Sequence, residues 1–259
     1  MVNMGATKST AEASRVAIGE FLGAMQSLHG DALRTVVRFG SAVAGEVFTG
    51  HSDTNLLIIV DRLPLSVLLT NATAVQKWTA AGNPAPLLLT LDEWRSSADI
   101  FAMEYADILH RHEVLLGTAP FDGVRVKPED LRLHVEREVM GKLLQLRRAI
   151  MAVGADQAQQ LPLLLNGLST VMVLFRGVAR VAGAAPPTDY VQLSQEVGAL
   201  AGLDAIPFER LVQHARREVQ IPVSDVTSVL TGVLIGMERL VAYLDRAGGS
   251  ARTGSAASS

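Results

Sequence analysis

Hydrophobic and polar positions change their spacing near residue 127. Before this point, short apolar runs typical of strands alternate with helical stretches, and after it the apolar residues keep helical spacing only. The strand-like runs lie at 33–39, 55–61, 86–90 and 100–108, with 123–126 as a shorter candidate. The pattern predicts an α+β fold, in which a small mixed sheet with flanking helices is followed by an all-helical bundle.

Helical periodicity predicts two helices before residue 127 and five after it. The first should start at Ser9, where Glu12 completes a capping-box spacing, and stop at Gly30. The second should follow Pro64 and run to about Ala81. The later helices are predicted at 128–153, 158–182, 188–202, 207–219 and 223–245.

Composition agrees with this organisation and limits the classes of function. With 259 residues, 49% of them hydrophobic, the chain can bury a sizeable core. We expect a first domain at 1–127, a helical domain at 128–245 and a small, polar, flexible tail at 246–259. The sequence has no cysteine, which excludes disulfides and Cys-based zinc sites, so a cytoplasmic location is expected.

Charge and hydropathy indicate neither a nucleic-acid nor a membrane partner. The net charge is −3, and the Lys and Arg residues are scattered rather than gathered in a basic stripe. Apolar segments are interrupted by charges or glycines short of a membrane span. A nucleotide still fits, because it needs only a few local cations and backbone amides. The sequence does not indicate an oligomeric state.

The most informative stretch is VVRFGSAVAGEVFTGHSDTNLLIIVD, residues 36–61. One strand should end at Phe39, and Gly40-Ser41 should form a tight turn into a helix start. Backbone amides beside Gly40 and Ser41 could approach phosphate oxygens closely, because glycine has no Cβ and a helix N-terminus favours negative charge. Taken alone, a plain structural turn explains the Gly-Ser pair equally well.

This stretch resembles the signature of the nucleotidyltransferase superfamily related to DNA polymerase β. In that signature a Gly-Ser turn precedes a strand that carries Asp-x-Asp or Asp-x-Glu. The pieces GSAV (40–43) and HSD (51–53) are similar to those of bacterial aminoglycoside adenylyltransferases of the streptomycin and spectinomycin type. The resemblance covers residues 33–61, and it implies a nucleoside triphosphate (NTP) held near Gly40, Ser41, Ser52 and Asn55.

The resemblance also implies Mg²⁺ and catalytic carboxylates. Residues two apart on a strand face the same way, so Asp53 and Asn55 would reach the metal together. A third carboxylate should come from a later strand, and Glu104 is the candidate because the predicted strand 100–108 places it on a face with small neighbours. The catalytic candidates are therefore Asp53 and Glu104, and the metal ligands would be Asp53, Asn55 and Glu104. Asp107 is the runner-up, and a solvent-facing charge at a strand edge explains either acid equally well.

Asn55 occupies the position of the second carboxylate and leaves two functions open. An amide oxygen can ligate Mg²⁺ but brings no negative charge, so metal binding and transition-state stabilisation should both be weaker. One function is transfer of a nucleoside monophosphate from an NTP to a hydroxyl of a small molecule, such as an aminoglycoside, or of a protein. The alternative is an inactive nucleotidyltransferase-fold protein that binds a ligand or protein partner in the inter-domain cleft.

Other polar groups are interpreted as structural. His110 and His112 have the spacing of metal ligands on a strand, but their charged neighbours favour an exposed edge over a zinc site. Arg38 could meet a phosphate, although an ion-pair role is favoured. Arg210 and His214 lie on one helical face, with a spacing shorter than in the helical nucleases that their composition resembles.

Overall fold

The computed structural model describes the backbone of residues 4–40, 43 and 54–255, and the side chains among them from residue 15 to residue 247. The contacts within the chain divide it into two compact units, Met1–Val126 and Lys127–Ser259. The domain limits expected from the sequence stay a prediction, because compactness within one chain does not show that either part folds alone.

The first unit contains one mixed four-stranded sheet. Its strands are β1 (Leu33–Phe39), β2 (Asn55–Val60), β3 (Leu87–Thr90) and β4 (His112–Gly117), in the order β3-β2-β1-β4. Strand β1 pairs antiparallel with β2 and β4, whereas β2 and β3 are parallel. The strands predicted at 33–39, 55–61 and 86–90 are confirmed, and the mixed sheet agrees with the predicted fold class.

Helices flank this sheet in the sequence order α1 (Met4–His29), α2 (Leu65–Ala80), α3 (Leu91–Ser96) and α4 (Ala102–His110). Helix α2 confirms the prediction that a helix follows Pro64. Helix α1 ends at His29 as expected but begins at Met4, five residues before the predicted start at Ser9.

Two predicted strands are absent from the first unit. Residues 102–110 form helix α4, so the strand prediction for 100–108 is wrong. Its apolar residues fit both periods: Phe101, Met103 and Tyr105 alternate, while Ala102, Tyr105 and Ile108 recur every three residues. The second set is buried, with each member 0% exposed, so tertiary packing selects the helix. Residues 123–126 are not a strand either.

The sheet is covered by apolar side chains on both faces. On one face, Val36, Leu56 and Ile58 pack in a core cluster with Phe21 of α1 and Trp78 of α2. The other face has its own cluster, whose members from the strands and from helices α3 and α4 include Val37, Leu57, Ile59, Trp94, Tyr105 and Ile108. Because alternate residues of a strand point to opposite faces, burial on both sides explains why LLIIV is continuously apolar.

Every regular element in the described residues of the second unit is a helix. Its helices are α5 (Pro128–Val153), α6 (Gln157–Val181), α7 (Tyr190–Ala201), α8 (Ile206–Ala215) and α9 (Val223–Ser255). All five predicted helices are present. Helix α8 stops four residues earlier than predicted, and α9 continues ten residues beyond the predicted end at 245. The predicted tail thus begins inside α9, and its flexibility stays a prediction.

Small residues in α9 allow α8 to pack closely against it. A Cβ placed on Gly232 would lie 2.3 Å from Cγ of Pro207, and one on Gly236 would lie 2.6 Å from Cε2 of Phe208. Both distances are far below van der Waals contact. Glycines one turn apart on α9 therefore form the groove that receives the first turn of α8.

Helices α6 and α9 each contain a stretch long and apolar enough to cross a membrane, at Gln157–Val181 and Val223–Ala247. Of the most apolar window in each, 50% and 44% respectively is buried inside the protein. Core helices of soluble proteins meet the same criterion, so these stretches are weak evidence for a membrane span.

Candidate active site at one end of the sheet

The turn after β1 brings Gly40 against the first residue of β2. Gly40 has φ +82°, and a Cβ placed on it would lie 3.2 Å from Nδ2 of Asn55. The Gly40 N–H donates to the Arg111 carbonyl at 3.3 Å, and the Gly40 carbonyl accepts from the Val43 N–H at 3.2 Å. The N–H of Gly40 is thus already engaged and is not a free donor for a phosphate.

Three side chains share the sheet face beside this turn. Phe39 pairs with Asn55 across β1 and β2 and with His112 across β1 and β4. Paired residues of neighbouring strands point to the same face, so all three lie on the face that α3 and α4 cover. Thr54 is 1% exposed, and its N–H donates to Oδ1 of Asn83 at 3.3 Å, which positions the start of β2.

His112 belongs to this end of the sheet. Its Nδ1 lies 2.8 Å from the Ile108 carbonyl, an acceptor, so Nδ1 carries a proton and Nε2 is the available nitrogen of the neutral ring. The ring also lies 4.2 Å, centroid to centroid, from that of Phe121. His110 instead ends helix α4, so the two histidines do not share a strand as a metal-ligand pair would require.

Arg38 lies on the opposite face and has a partner. Its Nη2 is 2.5 Å from Oε2 of Glu113, its neighbour across β1 and β4. The ion-pair interpretation of Arg38 is therefore confirmed. The same contact engages Glu113, the one acidic residue of β4.

Glu104 does not lie on a strand. It is in the first turn of α4 with an exposed side chain, and the last residue of that helix, His110, is six residues or about 9 Å further along the axis. The C-terminal end of α4 is the one beside Gly40, through the carbonyl of Arg111. Strand alternation therefore no longer supports Glu104 as the third carboxylate, and its role stays a prediction, as does that of Asp107 in the same helix.

The first turn of α4 is held instead against α3. The rings of Tyr105 and Trp94 stack with centroids 4.1 Å apart, and the Tyr105 hydroxyl donates to the Trp94 carbonyl at 2.9 Å. Burial raises the pKa of Tyr105 to about 12, so it stays a neutral donor. Helix α3 follows Thr90, which pairs with Val60 at the end of β2 remote from Asn55.

Strands β3 and β4 of the described sheet do not supply a carboxylate to the sheet face on which Asn55 lies. Strand β3 reads LLLT, and the single acid of β4 pairs with Arg38 on the other face. Among the described residues, no three His, Asp or Glu side chains are close enough to hold a metal ion. An uncharged amide at Asn55 does not by itself make a Mg²⁺ site, so the described residues alone do not fit the metal that the resemblance implies.

Three predicted site residues, Ser41, Ser52 and Asp53, lie outside the described residues. Their roles, and those of Gly40 and Asn55 toward a nucleotide, stay predictions. The residues that sequence reasoning missed here are Arg111, whose carbonyl holds the Gly40 turn, and His112 as a neighbour of Asn55. A signal for the latter existed in part, because the charged neighbours in HRHEV indicate an exposed edge. The sequence did not predict strand β4 or its pairing with β1.

Arg210 and His214 have structural partners in the second unit. Nη2 of Arg210 lies 2.6 Å from Oδ2 of Asp225, and Nδ1 of His214 accepts from the Ile221 N–H at 3.0 Å. The interpretation of this stretch as a charged helix face, rather than a nuclease motif, agrees with these contacts.

The sheet, its flanking helices and the helical second part have a nucleotidyltransferase-like fold. The supporting similarity is to the crystal structure of spectinomycin adenyltransferase AAD(9) from Enterococcus faecialis with ATP and spectinomycin. The TM-score is 0.53 at 11% sequence identity, over 86% of this chain and 99% of that one. No protein-family model and no curated protein matches the sequence. The likeness therefore shows the fold, as the sequence predicted.

Proposed function

We propose that the protein binds an NTP at the Gly40 end of the sheet and transfers its nucleoside monophosphate to a hydroxyl of a small molecule. The observation that carries the proposal is the Gly40 turn, which follows the central strand β1 and packs directly against Asn55 at the start of β2. The resemblance of residues 33–61 to the nucleotidyltransferase signature supports this position for the nucleotide. The similar AAD(9) structure contains ATP and spectinomycin.

The chemistry assigned to this end of the sheet is alignment of the triphosphate. Gly40 has no Cβ, so a phosphate oxygen can approach the turn without meeting a side chain. The Asn55 amide beside it can donate to a phosphate oxygen through Nδ2 or orient a bound water through Oδ1. Asp53, two residues before Asn55 in the sequence, is the proposed catalytic carboxylate. The acceptor is an aminoglycoside-like polyol, and the cytoplasm is the proposed location.

A second candidate function is ligand binding without transfer. Two specific observations favour it: position 55 carries an amide in place of a carboxylate, and β3 beside β2 carries no acid. A site with fewer carboxylates loses the charge that stabilises the transition state of phosphoryl transfer, while hydrogen bonds to a ligand remain. The two functions predict the same ATP binding and opposite results in turnover.

The experiment combines a binding and a turnover measurement on the full chain. ATP, with and without Mg²⁺, should raise the melting temperature, since a ligand that binds only the folded state stabilises it by about 2.7 kcal/mol at a hundred times its Kd. Pyrophosphate release is then measured with spectinomycin and streptomycin as acceptors. Release that depends on an acceptor supports transfer, and ATP binding without release supports the second function.

A matched pair of variants tests whether ATP binds at the Gly40 turn. Gly40→Ala places a methyl group in the turn and should abolish the ATP-dependent shift. Gly82→Ala tests the same kind of strain away from the turn, because Gly82 also has positive φ (+89°) but ends helix α2 with open space around its missing Cβ. An ATP shift that survives Gly40→Ala, or that is absent from the wild type at millimolar ATP, would contradict the proposal.

A further inference from the structure

The second unit contains an apolar cavity that the proposed function does not use. Its volume is about 230 Å³, and it lies among helices α5, α6, α8 and α9. The inner wall consists of side chains that are less than 8% exposed, among them Leu164, Leu168, Val171, Phe208 and Met237. Such a wall offers a ligand dispersion contacts and no hydrogen bonds, so it selects an apolar group.

Polar groups occur only at the rim of this cavity. Gln145 and Asn166 are exposed there, and Lys142 is half-buried. The Lys142 side chain runs along α6 at Gly167, since a Cβ on Gly167 would lie 3.7 Å from both Cε and Nζ of Lys142. The absence of a side chain at Gly167 therefore leaves the ammonium group at the cavity mouth.

The charge of Lys142 is not compensated within the part of the chain that the structure describes, where neither an ion pair nor a hydrogen bond engages its ammonium. The next cation on the same helix behaves differently, because Nη2 of Arg147 lies 2.8 Å from Oε1 of Glu238. A lysine at the mouth of an apolar cavity attracts an anion and repels a cation. A carboxylate would form a charge-assisted hydrogen bond with it.

The volume limits the size of the ligand. A cavity of roughly 150 Å³ lined by Leu, Ile and Phe holds one benzene molecule, so about 230 Å³ suits on the order of ten non-hydrogen atoms. The geometry points to a binding site for a small amphiphilic monocarboxylate, with its alkyl or aryl part between α6, α8 and α9 and its carboxylate on Nζ of Lys142. This inference is independent of the proposed transfer reaction.

Octanoate is the probe, and calorimetric titration of the full chain is the measurement. We expect saturable binding with one site. Lys142→Met, which keeps the length of the side chain and removes its charge, should weaken octanoate binding about tenfold. Octan-1-ol, which has the same chain and no charge, should bind wild type and Lys142→Met equally. The matched control is Lys127→Met, an exposed lysine just before α5 that does not line the cavity, which should leave octanoate binding unchanged.

A variant that fills the cavity tests whether the two probes bind there. Ala149 lines the cavity, so Ala149→Phe should remove binding of both octanoate and octanol. If that variant fails to fold by circular dichroism, Ala149→Leu replaces it and should weaken both probes at least fivefold, because part of the volume is still occupied. No octanoate binding by the wild type at about 5 mM would overturn the assignment. So would equal octanoate affinity in Lys142→Met and wild type, or unchanged affinity in the filled variant.

Discussion

Gly40 and Asn55 lie so close that a single methyl group on the glycine would crowd the Nδ2 atom of the asparagine at 3.2 Å. The turn after β1 and the start of β2 are thus one packed unit, joined through the pairing of Phe39 with Asn55. Residue 40 is constrained twice, by a positive φ that favours glycine and by this contact.

The first prediction concerns stability at this turn. Gly40→Ala should lower the free energy of unfolding by about 2 kcal/mol, of which 1–2 kcal/mol is the cost of a left-handed backbone for an L-residue. Gly82→Ala introduces the same backbone strain, but nothing lies within 4 Å of the new methyl group. It should therefore lower the free energy of unfolding by only about 1 kcal/mol. Urea unfolding of both variants gives the comparison. Equal losses would mean that Asn55 moves aside at no cost.

The second prediction concerns the packing of α8 on α9. Gly236→Ala should destabilise the protein by about 1–3 kcal/mol, because the added Cβ would lie 2.6 Å from Cε2 of the fully buried Phe208 ring. Gly141→Ala is the control in helix α5, where no atom lies within 4 Å of the new methyl group, and it should stabilise by up to about 1 kcal/mol. Thermal unfolding of the two variants distinguishes them, and similar effects would exclude close packing as the reason for Gly236.

The third prediction concerns acid stability through Asp189, the N-cap of α7. Burial alone would raise the pKa of this carboxyl, but the Gln192 N–H, the Arg216 guanidinium and the Val191 N–H outweigh it and lower the pKa below its usual 3.8. The stability that Asp189 contributes is therefore fully present above pH 3.8 and is lost as the pH falls through the lower folded-state pKa.

Asp189→Asn keeps a capping oxygen and removes the charge. At neutral pH it should cost about 0.5–1 kcal/mol, and the difference from wild type should shrink as the pH is lowered from about 5 to about 2.5. Asp189→Ala should cost about 1 kcal/mol more at neutral pH, because it also removes the cap. A cost of Asp189→Asn that does not change with pH would show that the charge of Asp189 contributes nothing.

Sequence periodicity was sufficient where the pattern was long or unambiguous. The five helices of the second unit repeat their apolar residues over several turns, β2 is an almost continuous aliphatic run, and β1 is rich in β-branched and other apolar residues, so each pattern fits one structure. Helix α4 is only nine residues long and carries apolar residues at both periods, and its packing on Trp94 and the sheet decides between them. Helix α3 was missed although its signal is local, since Thr90 and Glu93 form a capping box.

The candidate site was predictable only where the chemistry is local. Gly40 and Asn55 are brought together by adjacent strands, and the signature in the sequence contains both. A third carboxylate depends on which later element crosses the sheet and in which register, which a single sequence does not specify. The choice of Glu104 depended on a strand that is a helix, so its support from strand alternation is lost while its role stays a prediction.

The last prediction tests whether Asn55 limits the proposed reaction. Asn55→Asp should strengthen Mg²⁺-dependent ATP binding by tenfold or more, about 1.4 kcal/mol, because it restores a charged ligand two residues after Asp53 with little change in side-chain size. Its Oδ atom would replace Nδ2 beside Gly40, where the structure leaves room for an atom of the same size. Binding is measured by calorimetry and turnover by pyrophosphate release. Asp53→Asn in the Asn55→Asp background is the control, and it should abolish any gain. Unchanged binding and turnover in Asn55→Asp would show that the amide at position 55 is not what limits the site. Rapid turnover by the wild type would show that an amide at this position suffices.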